Sequence, residues 1–152
     1  MTTLRVACVQ ITAGRDVAAN IETVSGLIRQ AAAAGAKLIA TPEMTSLMER
    51  DKRAMRPKIR VEQDDLALAA LRKLAQELGV HLLIGSLPID AGEDRLANRA
   101  FLIDPGGRSR RATTRSTCST STCRAARASA KALPIARARK PWWPMSTGPG
   151  WA

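Results

Sequence analysis

The chain has 152 residues, the size of one ordinary domain, and its net charge of +11 is unevenly placed. All 13 acids fall between Asp16 and Asp104, so residues 1–108 set 15 basic groups against 13 acids, a net +2, while residues 109–152 carry 9 basic groups and no acid. No apolar run approaches the roughly 20 residues that span a bilayer, and MTTLRVACVQ lacks the long apolar core of a secretory signal, which argues against an integral membrane protein and makes the cytoplasm the expected location.

Leu4 to Ile11 (LRVACVQI) predicts a short strand apolar enough to be buried on both faces. Asn20 is read as the N-cap of a helix whose Ile21, Val24, Leu27, Ile28 and Ala31 share one face, ended by Gly35. Lys37 to Thr41 is a second buried strand, stopped by Pro42 directly before Glu43. Residues 45–63 are polar and charged, which predicts a long surface loop. Asp64 or Asp65 then caps a helix with the apolar stripe Leu68, Leu71, Leu74, Ala75 and Leu78, closed by Gly79. Val80 to Gly85 and Asn98 to Ile103 are the third and fourth strands. Asp104-Pro105-Gly106-Gly107 is turn chemistry that promises a hairpin partner beyond Arg108, but the residues that follow show no such strand pattern. This order predicts an α/β layered sheet.

Three segments, VACVQI, GAKLIATPE (Gly35 to Glu43) and LANRAFLIDPGGR (Leu96 to Arg108), together resemble the carbon-nitrogen hydrolase (nitrilase) superfamily over about residues 4–108. The details look closest to the amidase branch that includes ω-amidase and deaminated-glutathione amidase. The resemblance implies an αββα sandwich, present here in part; no cofactor is expected, and Cys118, Cys123 and His81 offer no convincing set of the four ligands a zinc site needs. It also implies a small-molecule amide substrate, homo-oligomerisation of the intact enzyme, and a Glu-Lys-Cys triad that cleaves non-peptide amides or nitriles through an acyl-enzyme. Such chemistry needs a carboxylate to take the thiol proton and an ammonium beside the attacked carbonyl. Glu43, directly after a buried strand, matches the general base. The family's lysine lies in a YDKIHLFD-like segment after the hairpin turn and its nucleophile in an ICYD-like strand end, and residues 109–152 contain neither. Cys118 and Cys123 do not sit in such a strand, so neither takes the nucleophile's role.

The loss of acids after Asp104 suggests a change of reading frame near Arg108 to Arg111. Thr113 to Arg127 admits codons beginning ACG ACA AGA TCC, which after a preceding T and shifted by one base read TAC GAC AAG ATC and continue to give YDKIHMFDVDLPGGE. Ile135 to Ala152 similarly admits YRPGEKAVVADVDWARLG, again like the family. The lysine codon of this alternative frame overlaps that of Arg115, but the role does not pass to Arg115, whose neighbours differ. The expected organisation is therefore an N-terminal part of a carbon-nitrogen hydrolase domain over 1–108 and a basic, disordered, low-complexity tail over 109–152, with no amidase turnover by the chain itself.

Cys8 is expected to be a small buried residue, and His81 a strand residue in or near the core. Lys58, Arg60 and the basic groups from Arg50 to Arg56 are expected to form a solvated face, with steering of an acidic substrate towards Glu43 as the sharper alternative. A basic-tailed nucleic-acid-binding protein is the alternative of a different class, disfavoured because the charges form no helical stripe and the tryptophans cluster at the end. Charge alone predicts nonspecific attraction to phosphates at low salt. In a salt titration of DNA binding, the full chain should lose its affinity over residues 1–108 as salt rises; affinity that persists with sequence preference would favour the nucleic-acid reading.

Overall fold

The computed structural model of the chain describes residues 3–93 and 95–117, and the expectations about the tail beyond Thr117, disorder included, lie outside them. Five strands form one sheet in the order β1-β2-β3-β4-β5: β1 Val6–Cys8, β2 Leu38–Thr41, β3 His81–Asp90, β4 Leu96–Ile103 and β5 Ser109–Thr117. Helices α1 (Val17–Ala33) and α3 (Leu66–Leu78) connect β1, β2 and β3, which are parallel, whereas β4 and β5 follow as antiparallel hairpin strands. Crossovers through helices are the usual way to join parallel neighbours.

The two long helices pack on one face of the sheet. Val24 and Ile28 of α1 and Leu68, Leu71, Leu74 and Ala75 of α3 are buried with Ile39, Leu82, Ile84, Phe101 and Ile103 in one core. The row Ala7, Ile39, Leu82 and Ile103 runs across four strands in register and points at the helices. The next row, Cys8, Ala40, Leu83 and Leu102, points away because side chains alternate along a strand. That second face is incompletely covered: Leu83 is 42% exposed and Val6 50%.

This asymmetry corrects three expectations. β1 is a three-residue strand at the sheet edge with Val6 and Cys8 exposed and Ala7 half-buried, so the apolar run LRVACVQI does not signify burial on both faces. Cys8 is exposed on the open face, and His81, the first residue of β3, is exposed as well. Composition reports an affinity for burial; it does not supply the second layer that would satisfy it.

The helix ends follow local chemistry. Asp16, not Asn20, caps α1, its carboxylate accepting from the Ala18 and Ala19 N–H groups at 2.9 and 3.1 Å. Asp65 caps α3 by accepting from the Leu68 N–H at 2.7 Å, and Gly79 ends that helix in the left-handed conformation at φ 62°. Residues 45–63 are not a bare loop. They contain the short helix α2 (Lys52–Met55) and two 3₁₀ turns, and Leu47, Met55 and Ile59 form a second small core against Met44 and Leu96.

The hairpin partner that no sequence pattern announced is β5, which pairs with β4 from Ser109 to Thr117, past the boundary expected at Arg108. Asp104 builds the turn: its carboxylate accepts from the Gly106 and Arg108 N–H groups, both at 2.9 Å. Gly107 has φ 73°, and a Cβ there would lie 2.9 Å from the Arg72 carbonyl oxygen. Among the described residues no helix is long and apolar enough to cross a membrane.

Leu82 and Leu83 test the two faces directly. Leu82→Ala should lower stability by about 2–5 kcal/mol in a urea titration, whereas Leu83→Lys should change it by less than about 0.5 kcal/mol. Equal destabilisation by the two variants would contradict this assignment of faces.

Candidate active site

Glu43 stands where β2 ends. Pro42 has no N–H to continue the β2–β3 ladder, and residues 43–46 turn away from the strand. The opposite strand makes room for this exit. The β3–β4 register breaks between Ile84 and Leu87, and within that irregularity Gly85 lies so close to β2 that a Cβ would sit 2.6 Å from the carbonyl oxygens of both Thr41 and Pro42.

Ser86 then holds the turn from below. The Met44 N–H donates to Ser86 Oγ at 2.9 Å and the Thr45 N–H donates to the Ser86 carbonyl at 3.0 Å. Met44 has φ 52°, an uncommon conformation for a residue with a Cβ, and the two bonds from its own and the next N–H keep it there. The Thr45 hydroxyl donates to the Pro42 carbonyl at 2.6 Å, which leaves its oxygen to accept from the Thr41 hydroxyl at 2.9 Å. Thr41, Thr45, Ser46 and Ser86 are all buried.

Asn20 closes the other side. Its side-chain amide donates to the carbonyls of Gly14 and Ser46, both at 2.9 Å, and accepts from the Gly14 N–H at 2.8 Å. The residue read as a helix cap is thus a buried strut between the loop before α1 and the Glu43 turn. Among the described residues nothing bonds to the Glu43 carboxylate, which is exposed. A rigid backbone carrying an unengaged carboxylate is what a general base needs, because proton transfer demands fixed geometry and an available oxygen.

The second carboxylate of this segment has a different fate. Glu49 is buried, accepts from the Asp51 N–H at 3.3 Å and pairs with Arg15 Nε and Lys58 Nζ, each at 3.5 Å. The Asp51 N–H together with these two cations holds its pKa below the ordinary glutamate value, outweighing the opposing effect of burial. Lys58 pairs with Glu49 and donates to the Arg15 carbonyl, and Arg60 donates to the Pro57 and Ile59 carbonyls, both residues remaining exposed. These partners tie the segment down, and the solvated-face expectation agrees with the exposure of Arg50, Lys52, Arg53, Lys58 and Arg60. A cavity of about 410 Å³ beside the start of α1 is lined by Arg15, Val17, Ile21, Lys58 and Leu66 among others, and Glu43 is not part of it. Among the described residues no group of three His, Cys, Asp or Glu side chains is placed to hold a metal ion.

The family model for carbon-nitrogen hydrolase matches residues 5–117. The chain belongs to the carbon-nitrogen hydrolase family. Its sheet superposes on the NitN amidase from Nesterenkonia sp. AN1 with a TM-score of 0.65 at 27% identity, covering 74% of this chain and 44% of that one. The NitFhit protein of C. elegans matches at 20% identity and TM-score 0.66, covering 72% and 27%, and a carbon-nitrogen hydrolase of Helicobacter pylori G27 at 17% and 0.64, covering 74% and 39%. These two show the shared fold. The chain thus spans less than half the length of the solved relatives it matches.

The strand-Pro-Glu pattern points to Glu43, while nothing in the sequence announces the residues that hold its turn. Ser86 and Asn20 act through a backbone irregularity and an interloop contact, neither of which has a fixed spacing from Glu43. Ser86→Ala removes the acceptor of the Met44 N–H and should cost about 1–3 kcal/mol, with faster hydrogen exchange at Met44. Gly85→Ala should cost more, since its methyl meets backbone that has nowhere to move; a Gly85→Ala chain as stable as the parent would show that the strands are not held at this distance.

Acid should act through Glu49. A carboxylate whose folded-state pKa is lowered contributes stability that is present above its unfolded pKa and lost as pH falls through the folded one. Glu49→Gln should therefore flatten the acid limb of the stability curve below the ordinary glutamate range, and an unchanged limb would assign that acid sensitivity elsewhere.

Proposed function

We propose that this chain carries the general-base part of an amidase acting on small non-peptide carboxamides, with Glu43 as the base, and that the thiol and ammonium of the triad come from sequence that the chain does not encode in its present frame. The observation that carries this reading is the Glu43 turn: a carboxylate left free on a backbone fixed by Gly85, Ser86 and Thr45. In the intact enzyme Glu43 takes the cysteine proton as sulfur attacks the carbonyl carbon, and the lysine ammonium stabilises the charge that develops on oxygen. The C–N bond then breaks, the amine leaves with a proton, and water resolves the thioester. Support for the thiol step comes from the Nesterenkonia amidase, one glutamate-to-glutamine variant of which carries the Michael adduct of acrylamide at its active-site cysteine.

On this reading the 152-residue chain hydrolyses no amide, and its expected partners are those of the intact family, a small-molecule amide and further copies of the enzyme. Inserting or deleting the base that restores YDKIHMFDVDLPGGE, with the downstream gene read through, should give a longer protein that hydrolyses small carboxamides. In that protein Glu43→Gln should lower turnover by about 10²-fold to 10⁴-fold. Amide hydrolysis by the unmodified chain that is abolished by Glu43→Gln would show instead that Cys118, Cys123 or Arg115 serves the reaction.

A further inference from the structure

The strand register carries the Glu43 turn towards a second position. Ser86 holds the Met44 and Thr45 amides; two residues on, Pro88 pairs with Asn98 of β4, and Asn98 pairs with position 115 of β5. The turn bearing Glu43, Asn98 and position 115 thus lie in one transverse band of the sheet, with neighbouring strands about 4.8 Å apart. Position 115 is where the lysine of the alternative frame falls, since AAG takes its first base from the Thr114 codon and its last two from the Arg115 codon.

Asn98 has a peculiarity of its own. Its Oδ1 is buried, and no hydrogen-bond partner for it is present among the described residues. A buried amide oxygen without a donor is costly, so its presence calls for a group that reaches it. Pro88, its neighbour across β3, has no N–H to offer. By alternation Asn98 shares the face of Ala100 and Leu102, opposite to Ala97, Phe101 and Ile103, all buried and the last two beneath the helices. Directly opposed residues on adjacent strands have Cβ atoms about 4.5–5.5 Å apart, within reach of a lysine's flexible four-carbon stem.

We infer that Asn98 is a positioning residue whose side-chain carbonyl accepts a hydrogen bond from the ammonium of a lysine at position 115 and so fixes that ammonium in line with Glu43. This rests on the amidase reading for its purpose, but not for its geometry. A lysine has three donors and rotates freely, and one fixed acceptor on the adjacent strand removes most of that freedom before substrate binds.

Two measurements test it. In the full 152-residue chain, Arg115→Lys introduces the ammonium without restoring the gene, and its pKa can be read from the labelled lysine Cε and Nζ resonances. Adding Asn98→Ala should lower that pKa, because the charged form loses its acceptor, and adding Asn98→Asp should raise it, because the acceptor gains a charge. In the restored-frame enzyme, Asn98→Ala should reduce kcat by about 10-fold to 100-fold with little change in KM, on the scale of losing an outer positioning partner, and move the alkaline limb of the pH profile down. Asn98→Asp should move that limb up. A packing defect has no reason to reverse sign between the two substitutions. A lysine pKa indifferent to both overturns the inference, as does an enzyme whose kcat and alkaline limb ignore them. If the restored enzyme has no turnover with Asn98 intact, the amidase reading fails, and the lysine titration in the 152-residue chain still decides the contact.

Discussion

The constraint on which the site depends is the distance between β3 and the end of β2 at Gly85. A Cβ at that position would collide with two backbone carbonyls, and backbone has no rotamer by which to yield. Because the strands meet there, the regular ladder cannot continue, and Ser86 is released from it to accept from the Met44 and Thr45 N–H groups instead. Met44 pays for this with a left-handed backbone, a strain of order 1–3 kcal/mol that persists only because the surrounding bonds over-determine it. The consequence is directional: the chain leaves β2, exposes Glu43, and dives back into the buried sequence Thr45-Ser46-Leu47 within four residues.

The contrast between Glu43 and Glu49 shows how position decides the chemistry of one residue type. They stand six positions apart, and both belong to the segment after β2. Glu49 is enclosed, with one backbone N–H and two cations committed to its charge, which makes it a strut joining the loop before α1 to the 3₁₀ turn at Lys58. Such a carboxylate has little use as a base, since its charged form is already stabilised. Glu43 has no comparable partner among the described residues, so its oxygens remain available to a proton donor. Several cations nearby are already paired: Arg56 with Asp90, Lys58 with Glu49, and Arg99 of β4 with Glu62, which fastens the segment to the sheet.

What the sequence makes legible is what short-range chemistry controls. Pro42 ends a strand, Asp65 begins a helix and Gly79 ends one because each acts on backbone atoms within a few bonds of itself. The stripe from Leu68 to Leu78 specifies which face of α3 is buried for the same reason, since its period is set by the helix alone. Asn20 misleads because Asn is equally suited to capping and to bridging two carbonyls, and the choice falls to Asp16, which stands nearer the first turn. Cys8 and His81 mislead for a different reason: a strand's apolarity predicts burial only if a layer lies against each face, and here the helices cover one face of the sheet.

β5 is the instructive failure. Residues 109–117 have neither the family's motif nor an alternating apolar pattern, yet they pair with β4 along its full length. Strand pairing is made by backbone N–H and C=O groups, which every residue except proline supplies in full, and threonine, present three times in SRRATTRST, favours the extended backbone. The register is set elsewhere, by Asp104 and by Gly107 wedged against α3 with the Arg72 Nε donating to its carbonyl at 2.8 Å. A turn so fixed delivers the following residues to β4 whatever their side chains are. The family match likewise runs to residue 117, although the lysine motif is missing from the same stretch. Under the proposed reading, a shifted frame changes the side chains of the strand and leaves its place in the sheet, so position 115 still stands opposite Asn98 although the residue there is no longer the one the site was built to receive.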